Sequence, residues 1–249
     1  MPACRLPASA VVFLACLVVP PFASAADSEW QISPYGWIAS FEGTVGGAGG
    51  DADTGGEAEF DHAWENTGLA GAMVNANWRR DRWTAFGDWT YAKVSSDSPT
   101  RVPALYDSIE GEVKGHVLQG YAGYDLMPRD TSHLDLFAGA RYYNLDLTVD
   151  LTGAAAQSRQ LQGGQAWFDA VAGLRWTRQY ANHWRTYLSG DVGVGGSDSS
   201  WQGYAGVGYD FSWGALIGGW RYLHIDYDSG SYQLDAALTG PFVGASWTF

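Results

Sequence analysis

The chain has 249 residues, with 14 basic against 27 acidic side chains and a net charge of −13. That balance excludes a nucleic-acid partner, whose phosphates demand basic patches. The 33 glycines, 13 tryptophans, 14 tyrosines and 10 phenylalanines, with no heptad-like apolar spacing, exclude a helical bundle and favour an all-β protein.

Arg5 opens the chain with a positive charge, and an apolar run follows from Ala10 to Val19, broken by Pro20 and Pro21. Ala23-Ser24-Ala25 is a small-x-small cleavage site, so residues 1–25 are expected to be a cleaved secretory signal peptide. A lipoprotein box ending at Cys16 fits less well, because the apolar run continues past that cysteine. Cleavage removes Cys4 and Cys16, leaving residues 26–249 without a thiol. It also removes Arg5, so the mature charge is −14. No mature segment reaches the ~18 apolar residues of a membrane-crossing helix. Membrane barrels escape that test, because lipid-facing and lumen-facing residues alternate.

Alternation predicts ten strands, near 30–45, 67–79, 82–94, 112–126, 133–151, 165–178, 183–194, 201–211, 215–227 and 233–249. Pro34 sits awkwardly in the first. Long connections (46–66, 95–111, 152–164) alternate with tight ones at Arg80-Asp81, 127–132, 179–182 and 212–214. Transmembrane barrels separate loops from turns in this way, with the turns in the periplasm. One face of each strand is apolar: Ala70, Ala72, Val74, Ala76 and Trp78; Trp83, Ala85, Trp89 and Tyr91; Leu134, Leu136, Ala138, Ala140 and Tyr142; Phe168, Ala170, Ala172, Leu174 and Trp176; Trp201, Ala205, Val207, Tyr209 and Phe211. Aromatics on these faces fall into two girdles, Trp78, Trp83, Trp176, Trp184, Phe211 and Phe249 near the turns and Tyr91, Tyr142, Phe168, Trp201 and Tyr222 near the loops. Trp83 to Tyr91 spans roughly 26 Å of strand, or ~20 Å of height at a tilt of about 40°, close to the ~25 Å apolar band of such barrels. The expected fold class is all-β: a closed antiparallel transmembrane β-barrel of about ten strands, with eight or twelve as alternatives.

A short pattern recurs in Gly139-Ala140-Arg141-Tyr142, Gly173-Leu174-Arg175-Trp176 and Gly219-Trp220-Arg221-Tyr222. Each glycine is expected to leave room beside a long inward arginine. Gly190-Asp191, Gly193, Gly195-Gly196-Ser197-Asp198, Trp201-Gln202, Gly208-Tyr209, Trp220-Arg221-Tyr222, Ile225-Asp226-Tyr227 and the Gly240-Pro241 ending resemble uncharacterised proteobacterial outer-membrane barrel proteins, loosely of the OmpA and OmpW type. The resemblance implies the fold and the bacterial outer membrane, and brings no catalytic residue with it.

Inward-facing Asp88, Asp135, Arg141, Asp169, Arg175, Arg185, Asp191 and Arg221 are expected to form a lumen charge network, with Arg141, Arg175 and Arg221 neutralising aspartates. In a barrel this small, side chains nearly fill the lumen, so the network reads as a rigid plug. A selectivity constriction is the alternative. Catalysis is not expected: no nucleophile or zinc motif appears, and His133 and His183 lie at the turn end. His62 falls in the first loop, while His116 and His224 lie nearer the loop side, and His224 with Asp226 and Asp228 could form an omptin-like pair; a lipid A-modifying enzyme is the other enzymatic class considered. No cofactor is expected. The first loop carries seven carboxylates within 42–65, and Asp51, Asp53, Glu57, Asp226 and Asp228 are weak candidates for a divalent cation. Asp97, Asp107, Glu110 and Glu112 extend the acidic rim. The chain ends in Gly244-x-x-Trp247-x-Phe249, which resembles the insertion signal read by the barrel assembly machinery. Expected partners are therefore that machinery, outer-membrane lipid and lipopolysaccharide, and divalent cations. The role expected is structural or surface-interacting, with a narrow channel or carrier as runner-up and an enzyme third.

Overall fold

The computed structural model describes residues 28–47, 57–60, 70–99, 108–152, 159–230 and 232–249. The signal segment 1–25 and the candidate ligands Asp51 and Asp53 lie outside them.

Twelve strands form one sheet: β1 (Ser28–Trp37), β2 (Ser40–Gly47), β3 (Glu57–Phe60), β4 (Ala70–Arg80), β5 (Trp83–Pro99), β6 (Ser108–Asp125), β7 (Ser132–Thr152), β8 (Arg159–Gln179), β9 (Trp184–Gly195), β10 (Ser199–Phe211), β11 (Gly214–Asp228) and β12 (Tyr232–Thr248). All pairings are antiparallel, and β1 meets β12 to close the sheet into a barrel. β1 and β2 are one staved strand, since both pair with β12 in the same register. The ladder lapses at Ile38 and Ala39, opposite Pro241, which has no N–H to give. Ten strands therefore make the wall, and β3 is a short addition paired to β2. Pro34 is accommodated in β1, paired with Val74 of β4.

The ten expected strands match these in order. The loop-side hairpins are longer than alternation suggested, however: β5 runs to Pro99, β6 starts at Ser108, and β8 starts at Arg159. Polar residues such as Ser95, Ser96 and Asp97 pair across to β6 where no apolar face is needed, because a ladder beyond the membrane band can be solvated on both sides.

The exterior is apolar. Phe168, Val192, Val243 and Leu188 are among the most exposed large side chains, each more than half exposed. A wall with this outside and charged residues inside inverts a soluble protein, and only a hydrocarbon solvent stabilises it. Rings pair along both rims: Trp83 with Tyr124 (5.1 Å) and Trp184 with Tyr209 (5.1 Å) near the turns, Tyr142 with Phe168 (4.5 Å) and Trp201 with Tyr222 (4.4 Å) near the loops.

The repeated glycines act differently from the sequence reading. A Cβ at Gly139, Gly173 or Gly219 would strike the backbone carbonyl oxygen of Gly120, Gly190 or Ala205, respectively. What these glycines admit is the neighbouring strand on the inside of a tightly curved wall, rather than the arginine two residues along.

Candidate functional site: a sealed lumen above a turn-side vestibule

Alternation aims Asp88 (β5), Gln119 (β6) and Arg141 (β7) into the lumen, and strand register sets them side by side. Asp191 (β9) and Gln202 (β10) are likewise register partners on the far wall. Six side chains then close a ring. The Gln119 amide donates to Asp88 Oδ1 (3.1 Å), and Arg141 Nε donates to Gln119 Oε1 (2.8 Å). Arg141 Nη2 reaches across to Asp191 Oδ1 (2.5 Å), whose other oxygen accepts from Gln202 Nε2 (3.1 Å). Arg221 donates to Gln202 Oε1 through Nε (3.0 Å) and Nη2 (2.6 Å), and its Nη1 returns to Asp88 Oδ1 (3.4 Å).

The order is acid, amide, base, then acid, amide, base. Two carboxylates balance two guanidiniums, so the ring is neutral, and each amide links an acid to a base with both of its ends used. Tyr35 braces one half, donating to Asp88 Oδ2 and accepting from Arg221 Nη1 (2.7 Å each). Tyr121 braces the other, donating to Gln119 and accepting from Arg141 Nη2 at 3.0 Å. Arg141 is wholly buried. Desolvating such charges is costly, and a ring in which each charge meets an opposite charge and further donors or acceptors offsets that cost.

On the loop side of the ring the lumen is packed with apolar side chains. Trp37, Met73, Val117, Tyr143, Trp167, Leu223, Ile225, Tyr227, Leu234 and Ala236 pack there as one cluster. Trp167 stacks between Tyr143 (4.9 Å) and Tyr227 (4.2 Å), and its indole N–H donates to Ser197 Oγ at 2.7 Å. Asp169 caps the neighbouring turn, accepting from Ser197 N (2.9 Å) and Ser200 Oγ (2.8 Å).

On the turn side the lumen opens into a vestibule of about 510 Å³. Its walls reach Asp88, Gln119 and Arg221 of the ring and Phe242 of the apolar cluster, and include none of Tyr143, Trp167, Leu223 or Tyr227.

The structure thus brings Asp88, Arg141, Asp191 and Arg221 into one network and separates the other expected members. Asp135 binds Arg79 bidentately (3.0 and 2.7 Å), and Arg185 pairs with Asp210. The expectation that Arg175 neutralises an aspartate fails: its Nη1 donates to Asn77 Oδ1 (2.7 Å), and the guanidinium lies 3.7 Å above the Phe86 ring. Sequence reading missed Gln119, Gln202, Tyr35 and Tyr121. Strand register would have found the two amides, since each lies directly opposite an expected aspartate.

The candidate acid–base pair does not assemble as expected. His224 faces outward, stacked on Trp201, and contacts Asp235 (3.2 Å) in place of Asp226 or Asp228. His116 also faces outward, against Tyr91. His133 holds Asp125 (2.6 Å) at the turn end. Asp228 caps its own loop: the Gly230 N–H (2.6 Å) and the Gln233 amide (2.9 Å) hold its carboxyl below the usual range. Glu57 opens β3. Among the described residues no group of three carboxylates or imidazoles is placed to share a metal ion.

Of the terminal motif, Trp247 and Phe249 point outward, while Gly244 faces Tyr35 across the closing seam. A Cβ there would meet Pro34 O and Tyr35 Cβ at 2.5 Å each. Phe249 and Trp30 exchange backbone hydrogen bonds (2.8 and 3.1 Å), fixing both strand ends at the turn side.

No protein-family model matches the chain, and no curated protein matches it in sequence. Solved structures of similar outline are outer-membrane barrels. Ail of Yersinia pestis, in complex with the heparin analogue sucrose octasulfate, is 12% identical with a TM-score of 0.36, over 89% of this chain and 99% of Ail. The translocator domain of the autotransporter NalP from Neisseria meningitidis is 17% identical with a TM-score of 0.38, over 88% of each chain. OprG of Pseudomonas aeruginosa is 10% identical with a TM-score of 0.35, over 90% of this chain and 96% of OprG. At these values the likeness is one of barrel outline, and function rests on the residues of this chain.

Proposed function

We propose that this chain is a bacterial outer-membrane β-barrel whose lumen is sealed, and that it serves a structural or surface-interacting role without catalysis. The observation that carries this reading is the closed six-residue ring beneath a packed, aromatic-rich cluster. Together they fill the lumen where a channel would need water. The outward placing of His116 and His224 supports the non-enzymatic part, since neither reaches the lumen with an acid partner.

In this reading residues 1–25 direct export, and Gly244, Trp247 and Phe249 present the last strand to the barrel assembly machinery. The acidic loops meet lipopolysaccharide, whose own negative charge makes bridging by divalent cations necessary, with Asp51, Asp53 and Glu57 as donors of the hard-oxygen type.

Membrane fractionation of the full chain and of a variant lacking Phe249 tests the location. The full chain is expected in the outer membrane, and the shortened one as protease-sensitive periplasmic material. Equal outer-membrane yield from both would remove the terminal signal from the account, and a detergent-free soluble monomer would remove the barrel reading itself.

A further inference from the structure

The turn-side vestibule holds a cation that the ring does not use. Arg175 is nine-tenths buried in its wall, yet among the described residues its Nε and Nη2 have no hydrogen-bond partner. Those two N–H groups are the parallel pair along one edge of a guanidinium, the edge that receives two oxygens of one anion. The third nitrogen, Nη1, is engaged by Asn77, and the flat face is engaged by Phe86. The group is thus held by one nitrogen and one face, and its two-pronged edge is both unpartnered and closed from solvent, so an acceptor entering from the vestibule reaches it only as the guanidinium shifts over Phe86. An unpartnered buried N–H is costly, which gives an incoming acceptor a reason to bind.

The surrounding charges define what fits. Asp88 is matched by Arg221, Asp135 shares Arg79 with Asp125, and Arg185 is matched by Asp210, while Glu29, Asp130 and the exposed Arg178 complete the charges of the walls. Arg175 is therefore an inner cation without a carboxylate. One negative charge neutralises it; a doubly charged anion would add an uncompensated charge beside Asp88 and Asp135. The walls also carry Phe86, Ile217, Phe242, Tyr187 and Tyr204, giving the space an apolar side. Its volume lies within the roughly 300–1,000 Å³ of small-molecule sites.

We infer that the vestibule is a binding site for a small organic monocarboxylate entering from the turn side, its carboxylate received by the Nε–Nη2 edge of Arg175 as the guanidinium slides over Phe86. The inference goes beyond the sealed-barrel reading and does not rest on it: the site lies wholly on the turn side of the ring, whether or not the loop half conducts.

Calorimetric titration of the refolded full-length protein in a non-ionic detergent tests it, with benzoate and inorganic phosphate as probes. Arg175→Lys keeps the charge and loses the edge; Arg80→Lys, an exposed residue outside the vestibule walls, is the control. Refolding is checked for each by heat-modifiable migration on a gel. Benzoate is expected to bind saturably to the wild type and to Arg80→Lys, at least tenfold more weakly to Arg175→Lys, and more tightly than phosphate. No saturable benzoate binding to the folded wild type would overturn the site. So would equal affinity in a folded Arg175→Lys. Should Arg175→Lys not refold, Asn77→Ala, which frees the guanidinium but keeps its edge, is expected to change benzoate affinity, and an unchanged affinity there would equally overturn it. Phosphate binding more tightly than benzoate would overturn the monocarboxylate assignment.

Discussion

Replacing Arg141 with alanine is expected to destabilise the barrel by about 3–5 kcal/mol, because it strands a buried carboxylate. Arg141 is wholly buried, and its Nη2 lies 2.5 Å from Asp191 Oδ1. The same change also leaves Gln119 Oε1 without its donor at 2.8 Å and Tyr121 OH without its donor at 3.0 Å. Urea unfolding in lipid vesicles measures the loss. Arg80→Ala is the comparison: Arg80 is exposed at the turn, and such changes stay within about 0.5 kcal/mol. Adding Asp191→Asn to Arg141→Ala is expected to recover part of the loss, since the stranded charge is then gone. Equal midpoints for Arg141→Ala and Arg80→Ala would place Arg141 in water and favour a conducting lumen.

Trp167→Ala is expected to cost a similar amount, about 3–5 kcal/mol, by leaving a cavity in the loop half. The indole is the middle of a three-ring stack with Tyr143 and Tyr227, and its N–H holds Ser197. Near-ultraviolet circular dichroism should lose part of its aromatic signal in the same variant, since Tyr143 and Tyr227 no longer share a fixed neighbour. A loss below about 1 kcal/mol with an unchanged spectrum would mean that the rings are loosely held and the loop half is not packed.

The wall was legible in the sequence because hydrocarbon imposes a strict rule. Exterior positions within the membrane band are overwhelmingly apolar, so Leu134, Leu136, Ala138, Ala140 and Tyr142 announce the lipid face of β7 by spacing alone. The interior obeys no such rule. Phe86, Tyr121, Phe137 and Trp167 all point inward, although alternation associates apolar residues with the outside. A narrow lumen excludes water most readily by filling with rings, and that requirement leaves no period in the sequence.

Partner choice among the inward charges was hidden for a different reason. Asp135 is the register partner of Arg175 on the adjacent strand, and spacing alone would join them. Arg79 takes Asp135 instead with both oxygens, and does so from β4, which is not adjacent to β7. A long side chain in a narrow barrel can reach across the lumen, so adjacency in the sheet does not determine the ion pair. The amides were overlooked because Gln119 and Gln202 carry no charge, yet each closes a gap between an acid and a base that would otherwise remain unbridged.

The central claim is that the lumen is closed by the ring and the aromatic cluster above it. Single-channel recording of the refolded wild-type protein in a planar lipid bilayer tests it most directly. Insertion is established in parallel by protease protection of the same preparation in vesicles. Inserted protein is expected to give no discrete conductance steps. Regular, uniform steps from the wild type would contradict the claim and make the chain a channel.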